Sequence, residues 1–407
     1  MSLHTLLVDF NSYFASCEQQ TRPELRGRPV GVVPVMADTT CLIAASYEAR
    51  PFGVKTLTQV KEARKRCPEL VLVLARHELY IEFHQRTVKA VDAIAPVRQV
   101  LSIDEMACDL PAGYKSVERA TQLANAIKHN LAKEVGEYLR VSIGLAPNTF
   151  LAKLASDMQK PDGLVILQAH DVPAKIQHLP LRALSGIGRN MEVRLHQYGI
   201  KTIADLYQQT ASQLRTVWGG IGGERFYARL RGMEVNDPEE EMGSISHSQV
   251  LAPILRNPDD AYAILNRLTQ KAAMRLRKTQ HYSGRMQIRV KFLNAPTWEN
   301  ETRFLETSDT LDLVHALDSL WHKFPKHKSA IPLQVSVTLL DFCAEGKNTV
   351  RLFEPQQERK QLNATIDALN QKFGKRAAYF GGAHRAIDQG KTAIAFNHIP
   401  DLDISEQ

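Results

Sequence analysis

The chain has 407 residues, of which 44% are hydrophobic and 23% charged, and its formal net charge is +7. That length exceeds one ordinary core and implies several domains, and no run approaches the ~18 consecutive apolar residues of a membrane helix. Five scattered cysteines without a CxxC pair argue against a zinc site and for a reduced, cytoplasmic chain.

The opening MSLHTLLVDF lacks a signal-peptide layout and runs straight into a strand. LLVDF (6–10) is a short apolar run ending in Asp9, which places that acid at the end of a buried strand. Asn11 or Ser12 is the expected cap of a helix running through Cys17 and Glu18. In SYEARPFGVKT (46–56), Tyr47 and Arg50 stand at i, i+3 on one helix face. A guanidinium fork and a phenol suit phosphate oxygens. The next expected elements are a strand at 70–75 (LVLVLA), a helix at 77–95, a hairpin at 97–110, a helix at 116–135 and a strand at 141–146.

The hairpin contains LSIDEMACDL (101–110), where Asp104, Glu105 and Asp109 interrupt an apolar run. Neighbours on a regular strand face opposite ways. Asp104 and Glu105 therefore serve one site only at a strand end, a turn or a bulge, or if the longer Glu wraps round. Two strand ends offering Asp9, Asp104 and Glu105 would make an oxygen-rich site for a hard cation such as magnesium. Surface acids on each strand fit the spacing equally well. Further on, DMQKPDG (157–163) sets Lys160 before a Pro-Asp-Gly turn.

A mostly helical stretch follows. Its Gly186-Ile187-Gly188 segment lets backbone N–H groups approach a phosphate, or is a plain tight turn. WGGIGGERF (218–226) is a second, poorer copy, and the acidic EVNDPEEEMGS (234–244) reads as a linker. A helix is expected at 258–278 after an Asn257-Pro258 start. Residues 267–291 hold Arg267, Lys271, Arg275, Arg277, Lys278, Arg285, Arg289 and Lys291 and no acid. Over 285–292 the pattern alternates, with Arg285, Gln287, Arg289 and Lys291 opposite Met286, Ile288, Val290 and Phe292. Such a basic strand face fits a nucleic-acid backbone, the alternative being a solvated sheet face.

Taken in order, VDFNSYFASCE, SYEARPFGVKT, LSIDEMACDL, SIGLAPNTFLAKLASDMQKPDG and LSGIG resemble the marker segments of the Y-family DNA polymerases, translesion enzymes of DinB and UmuC type. The resemblance covers essentially the whole chain. It implies an α+β, multidomain right-hand polymerase: a ferredoxin-like palm (1–18 and 74–167), small fingers (19–73), a helical thumb with a helix-hairpin-helix (168–233), a linker (234–246), an α/β little finger (247–345) and a C-terminal extension (346–407). It also implies that Asp9, Asp104, Glu105 and the Phe10 carbonyl hold two Mg2+ ions, with Mn2+ as a substitute. Tyr47, Arg50 and Lys160 would bind the triphosphate of a dNTP. Phe14 would be the steric gate under the sugar, with Tyr13 as the next candidate. Gly186, Gly188, Lys153, Arg285 and Arg289 would meet DNA. Asp109 is given no metal. The implied activity is templated extension of a primer 3′ end, error-prone and past DNA damage, by a cytoplasmic monomer.

The sequence departs from the pattern in places. Ala44 stands where relatives often carry Ser or Thr, and Thr149 replaces a frequent Lys. Cys41 and Ile43 would roof the nascent base pair, Ile43 being bulkier than in permissive relatives. VTLLDFCAEGKNTVRLFEP (337–355) resembles a UmuC stretch where a Q-x-x-L-F motif docks on a sliding clamp. Leu352 and Phe353 keep that plug, but Thr349 stands where Gln is expected, and a strand end covering local core is the equal alternative. Two other classes are a noncatalytic DNA-bound scaffold, which would lose the metal carboxylates, and another two-metal palm enzyme such as a nucleotide cyclase, which would not need the thumb hairpin or the basic domain.

Overall fold

The computed structural model describes residues 3–235, 242–325, 330–346, 356–374 and 377–389. They divide into two compact units, one taking 3–33 and 41–235, the other 34–40 and the described residues from 242 to 389. No helix among the described residues is long and apolar enough to cross a membrane.

The first unit is organised by the strand Thr5–Phe10, every residue of which is buried. A strand buried on both faces reads as a near-continuous apolar run, as LLVDF does. It pairs antiparallel with Glu105–Asp109 on one side and Val141–Ala146 on the other. The full sheet runs Val97–Val100, Glu105–Asp109, Thr5–Phe10, Val141–Ala146, Leu164–Ile166. With the helices His77–Asp92 and Val117–Glu134, its first four strands complete the expected ferredoxin-like β-α-β-β-α-β plan.

The LVLVLA run does not join this sheet. Val71–Leu74 lies parallel to Val30–Val33 in a separate three-stranded sheet with Ala44–Ala45 at its edge. A four-residue apolar strand carries no mark of which partner it will find, and this pairing spans some forty residues of chain. The expected cap of the first helix also differs. Tyr13–Thr21 starts after Ser12, which sits at φ 49° with no side-chain capping bond. The Asn11 side chain instead donates to Ser142 Oγ (3.0 Å) and accepts from Asp162 N (2.7 Å). Long-range partners outcompete the local cap.

The helix Thr149–Met158 is capped by Asn148, whose side chain accepts from Leu151 N at 2.9 Å. It lies directly on the sheet because Gly144 has no side chain. A Cβ there would stand 1.9 Å from the Ala152 carbonyl oxygen. Its apolar face joins a core with Leu184 and Ile187 from the loop that follows and Leu195, Leu206, Leu214 and Phe226 from the helices beyond it. Two of those helices, Ile203–Gln208 and Ala211–Trp218, begin in capping boxes on Thr202 and Thr210.

The second unit is a four-stranded antiparallel sheet in the order Trp298–Thr307, His281–Phe292, Pro332–Ala344, Ile245–Val250. The helix Pro258–Lys278 starts on an Asn257 cap, as read from sequence. Met286, Ile288 and Val290 are fully buried beneath it and Thr310–Trp321. Part of the C-terminal extension belongs to this domain. In the helix Gln356–Phe373, Asp367 accepts a two-pronged bond from Arg277 (2.7 and 2.8 Å), and Asn363 donates to Asp309 Oδ2 at 2.7 Å. Arg277, read as part of a basic DNA-facing segment, is thus occupied within the fold.

Candidate active site

Strand register assembles the acids. Asp9 lies opposite Glu105, and Phe10 N donates to the Asp104 carbonyl oxygen at 2.9 Å. Asp104 stands in a bend just ahead of the strand Glu105–Asp109, outside the alternation of regular strand geometry. That placement lets two consecutive carboxylates serve one site. Asp9 is almost fully buried. Asp104 accepts from Ser102 Oγ at 2.6 Å. Burial pushes the Asp104 carboxyl above its ordinary pKa, and the Asp9 charge adds to this against the Ser102 bond. Burial raises Glu105 likewise, with Lys153 opposing and Asp9 reinforcing.

Two ammonium groups enter this cluster. Lys153 Nζ lies 2.6 Å from Asp9 Oδ2, 3.0 Å from Glu105 Oε1 and 3.1 Å from Asp157 Oδ2. Lys160 Nζ lies 2.7 Å from Asp9 Oδ1 and 2.8 Å from Asp157 Oδ1. Burial alone would lower the Lys153 pKa, but Asp9, Glu105 and Asp157 outweigh it and hold the ammonium above its ordinary value. Burial would raise Asp157, yet the two lysines hold it below the usual carboxylate range. Three carboxylates, Asp9, Glu105 and Asp157, contact the two ammonium groups, and Asp104 adds a fourth negative charge within their electrostatic reach, so the cluster favours further positive charge. Asp157 was not singled out from sequence, although its spacing from Lys153 (i, i+4) places both on one helix face. Lys153, expected at DNA, points into the acids.

Tyr47 and Arg50 lie in one 3-10 helix, Tyr47–Phe52, with the Arg50 guanidinium 3.8 Å above the Tyr47 ring. Arg50 also donates to Ser12 Oγ at 3.2 Å. The Tyr47 hydroxyl is buried without a hydrogen-bond partner. Burial raises its pKa, against the charges of Arg50 and Lys160. An orphaned donor between two cations is an anion-binding arrangement.

Phe14 is half-buried and stacks on Tyr80, with ring centroids 4.6 Å apart and planes at 24°. Tyr80 is itself fixed, its hydroxyl donating to the buried Glu18 at 2.8 Å while Arg76 forks the same carboxylate at 3.0 and 2.6 Å. Tyr13 is buried and donates to the Tyr80 carbonyl at 2.7 Å. Of the two adjacent rings, Phe14 is the one left partly open. Asp109, given no metal, pairs with Arg98 at 2.9 Å.

Outside the cluster, Gly186 takes φ 86°, Ile187 is buried, and Gly188 caps the helix Arg189–Gln197. A Cβ on either glycine would meet nothing within 4 Å, so this backbone is open to approach. Cys41 is exposed and Ile43 half-buried. On the basic strand face the arginines are already paired with acids. Arg285 pairs with Asp341 (3.0 Å) and Glu301 (3.5 Å), and Arg289 with Glu299 (2.6 Å). Those acids come from the two flanking strands, which a reading along one strand cannot see. Leu352, Phe353 and Thr349 lie outside the described residues.

As they stand, no three His, Cys, Asp or Glu side chains among the described residues are arranged to hold a metal ion. The donor set is nonetheless all carboxylate, the chemistry a hard divalent cation requires. Both Asp9 oxygens are turned to ammonium groups.

Residues 8–157 match the impB/mucB/samB family, residues 182–234 the DNA polymerase-iota thumb domain, and residues 243–363 the impB/mucB/samB family C-terminal domain. The DNA polymerase IV of Moorella thermoacetica is 33% identical over 390 residues, covering 94% of this chain and 95% of its own. The DNA polymerase IV of Bacillus velezensis is 30% identical over 411 residues, covering 96% and 95%. Among solved structures, a Y-family DNA polymerase chimera is similar with a TM-score of 0.67 at 22% identity, over 84% of this chain and 99% of its own. That likeness establishes the fold.

Proposed function

The chain belongs to the impB/mucB/samB family and is a Y-family DNA-directed DNA polymerase of translesion synthesis; on that premise we propose how its residues divide the work. Asp9, Asp104 and Glu105, with the Phe10 carbonyl, would hold two divalent cations, Mg2+ with Mn2+ as a substitute. The observation that carries this reading is the strand register that sets Asp9 opposite Glu105 beside Asp104. Bound there, two cations would supply Lewis acidity at the primer 3′-hydroxyl and at the departing oxygen.

The remaining roles belong to the chain itself. Arg50 and Lys160 neutralise the triphosphate of the incoming dNTP, and the unpaired Tyr47 hydroxyl donates to one of its oxygens. Phe14, held flat by Tyr80, closes the space beside the sugar C2′. The open backbone at Gly186 and Gly188 meets the DNA phosphates. No side chain acts as a nucleophile. A scaffold without catalysis would have no use for three acids kept together in a half-buried cluster at a cost in desolvation.

Primer extension tests the assignment. Asp104→Asn should abolish nucleotide addition while leaving primer–template affinity nearly intact. Extension at the wild-type rate would remove Asp104 from the site.

A further inference from the structure

We propose that the Lys153 ammonium is a built-in competitor for the cation held by Asp9 and Glu105, and that Asp157 is the counter-ion to which it withdraws. This rests on the reading of Asp9, Asp104 and Glu105 as the cation site.

A lysine ammonium has three donors, and Lys153 spends them on Asp9, Glu105 and Asp157. It therefore bridges the two carboxylates that strand register sets face to face. A divalent cation sharing those oxygens would lie within a few ångströms of a like charge, and the repulsion at that range in a half-buried site is large. The two occupancies exclude each other. Lys153 has a place to go: Asp157, one helical turn along, already holds one of its hydrogens at 3.1 Å. The flexible four-carbon stem allows the head to swing without moving the helix. Lys160 is bound to Asp9 and Asp157 in the same way, so Asp157 anchors both ammonium groups. Until a cation enters, Lys153 neutralises acids that would otherwise repel one another.

The test is Mn2+ binding to the full chain without DNA or nucleotide, read from the electron paramagnetic resonance signal of free Mn2+, with a melting curve for each variant. Lys153→Met should tighten Mn2+ binding by about tenfold, the factor expected if the ammonium-bound state is ~90% populated. Asp157→Asn should weaken binding, because Lys153 then has no alternative partner. The same Asp157→Asn change should cost much less in the Lys153→Met background. Lys153→Gln, which keeps a hydrogen-bonding head without the charge, should reproduce the gain should the Met variant fold poorly. A merely structural lysine predicts the opposite sign, since its loss would loosen the site and weaken Mn2+ binding. If folded Lys153→Met and Lys153→Gln bind Mn2+ no tighter than wild type, the competitor role is refuted. The underlying reading is tested apart from it: if Glu105→Gln leaves Mn2+ binding unchanged, the cation site itself is elsewhere and both fall.

Discussion

Gly144→Ala is a one-carbon change whose effect can be worked from geometry. The added Cβ would stand 1.9 Å from the Ala152 carbonyl oxygen, 2.6 Å from Ser156 N and 3.0 Å from the Ala152 carbonyl carbon. All three are backbone atoms, so no rotamer change relieves them. Restoring ordinary contact requires the helix Thr149–Met158 to retreat by roughly 1.5 Å. Overpacking of this kind costs about 1–3 kcal/mol. The same helix carries Lys153 and Asp157, and a retreat of that size would stretch the 2.6 Å Lys153–Asp9 contact beyond hydrogen-bonding range unless the lysine stem follows. A displacement of about 1 Å near the reacting groups costs on the order of 10²-fold in rate. Thermal melting and single-nucleotide incorporation kinetics should therefore show a lowered Tm and a kcat/KM reduced by one to two powers of ten, roughly. Gly31→Ala is the control. Its Cβ would meet Leu42 Cδ2 at 2.8 Å and Leu72 Cδ2 at 3.2 Å, the movable ends of side chains, and it should be milder on both measures. A Gly144→Ala protein that melts and polymerises like wild type would refute the claim that this contact sets the helix, as would equal damage from Gly31→Ala.

Two further outcomes follow from the site. Phe14→Ala should raise the rCTP-to-dCTP incorporation ratio opposite guanine by roughly one to two powers of ten, because the ring no longer crowds a 2′-hydroxyl; an unchanged ratio would show that Phe14 is not the gate. Replacing Arg285 and Arg289 together by Ala should flatten the salt dependence of DNA binding by less than the ~0.9 of slope per phosphate contact, because Glu299, Glu301 and Asp341 already share those charges. Glu299→Gln with Glu301→Gln should steepen it, and the same slope in both variants would show that this face points away from DNA.

How far the site was legible in the sequence depended on how far its contacts ran. Asp9 could be placed because an acid ending a short apolar run is a local pattern. Adjacent Asp104 and Glu105 can share a site only off the regular strand, and a bend ahead of the strand provides that. The sequence could not say that Glu105 lies opposite Asp9, since that register joins strands some hundred residues apart. The same blindness hid the partner of Val71–Leu74, whose four apolar residues suit any parallel strand, and left Arg285 and Arg289 looking unneutralised.

Charge pattern fails in both directions for one reason: it counts neighbours along the chain, whereas pairing acts through space. On the strand His281–Phe292 it missed the acids that come from the flanking strands. At 153–160 the spacing was local and readable, Lys153 and Asp157 at i, i+4 and Lys160 three further on, a pattern that on any helix would pass for a solvated salt-bridge ladder worth little. What makes it part of the site is direction. Gly144 lets the helix close onto the sheet, and the side chains then reach Asp9 across some 150 residues of sequence. The chemistry of the cluster is thus written in acids and lysines, but its location is written in a glycine.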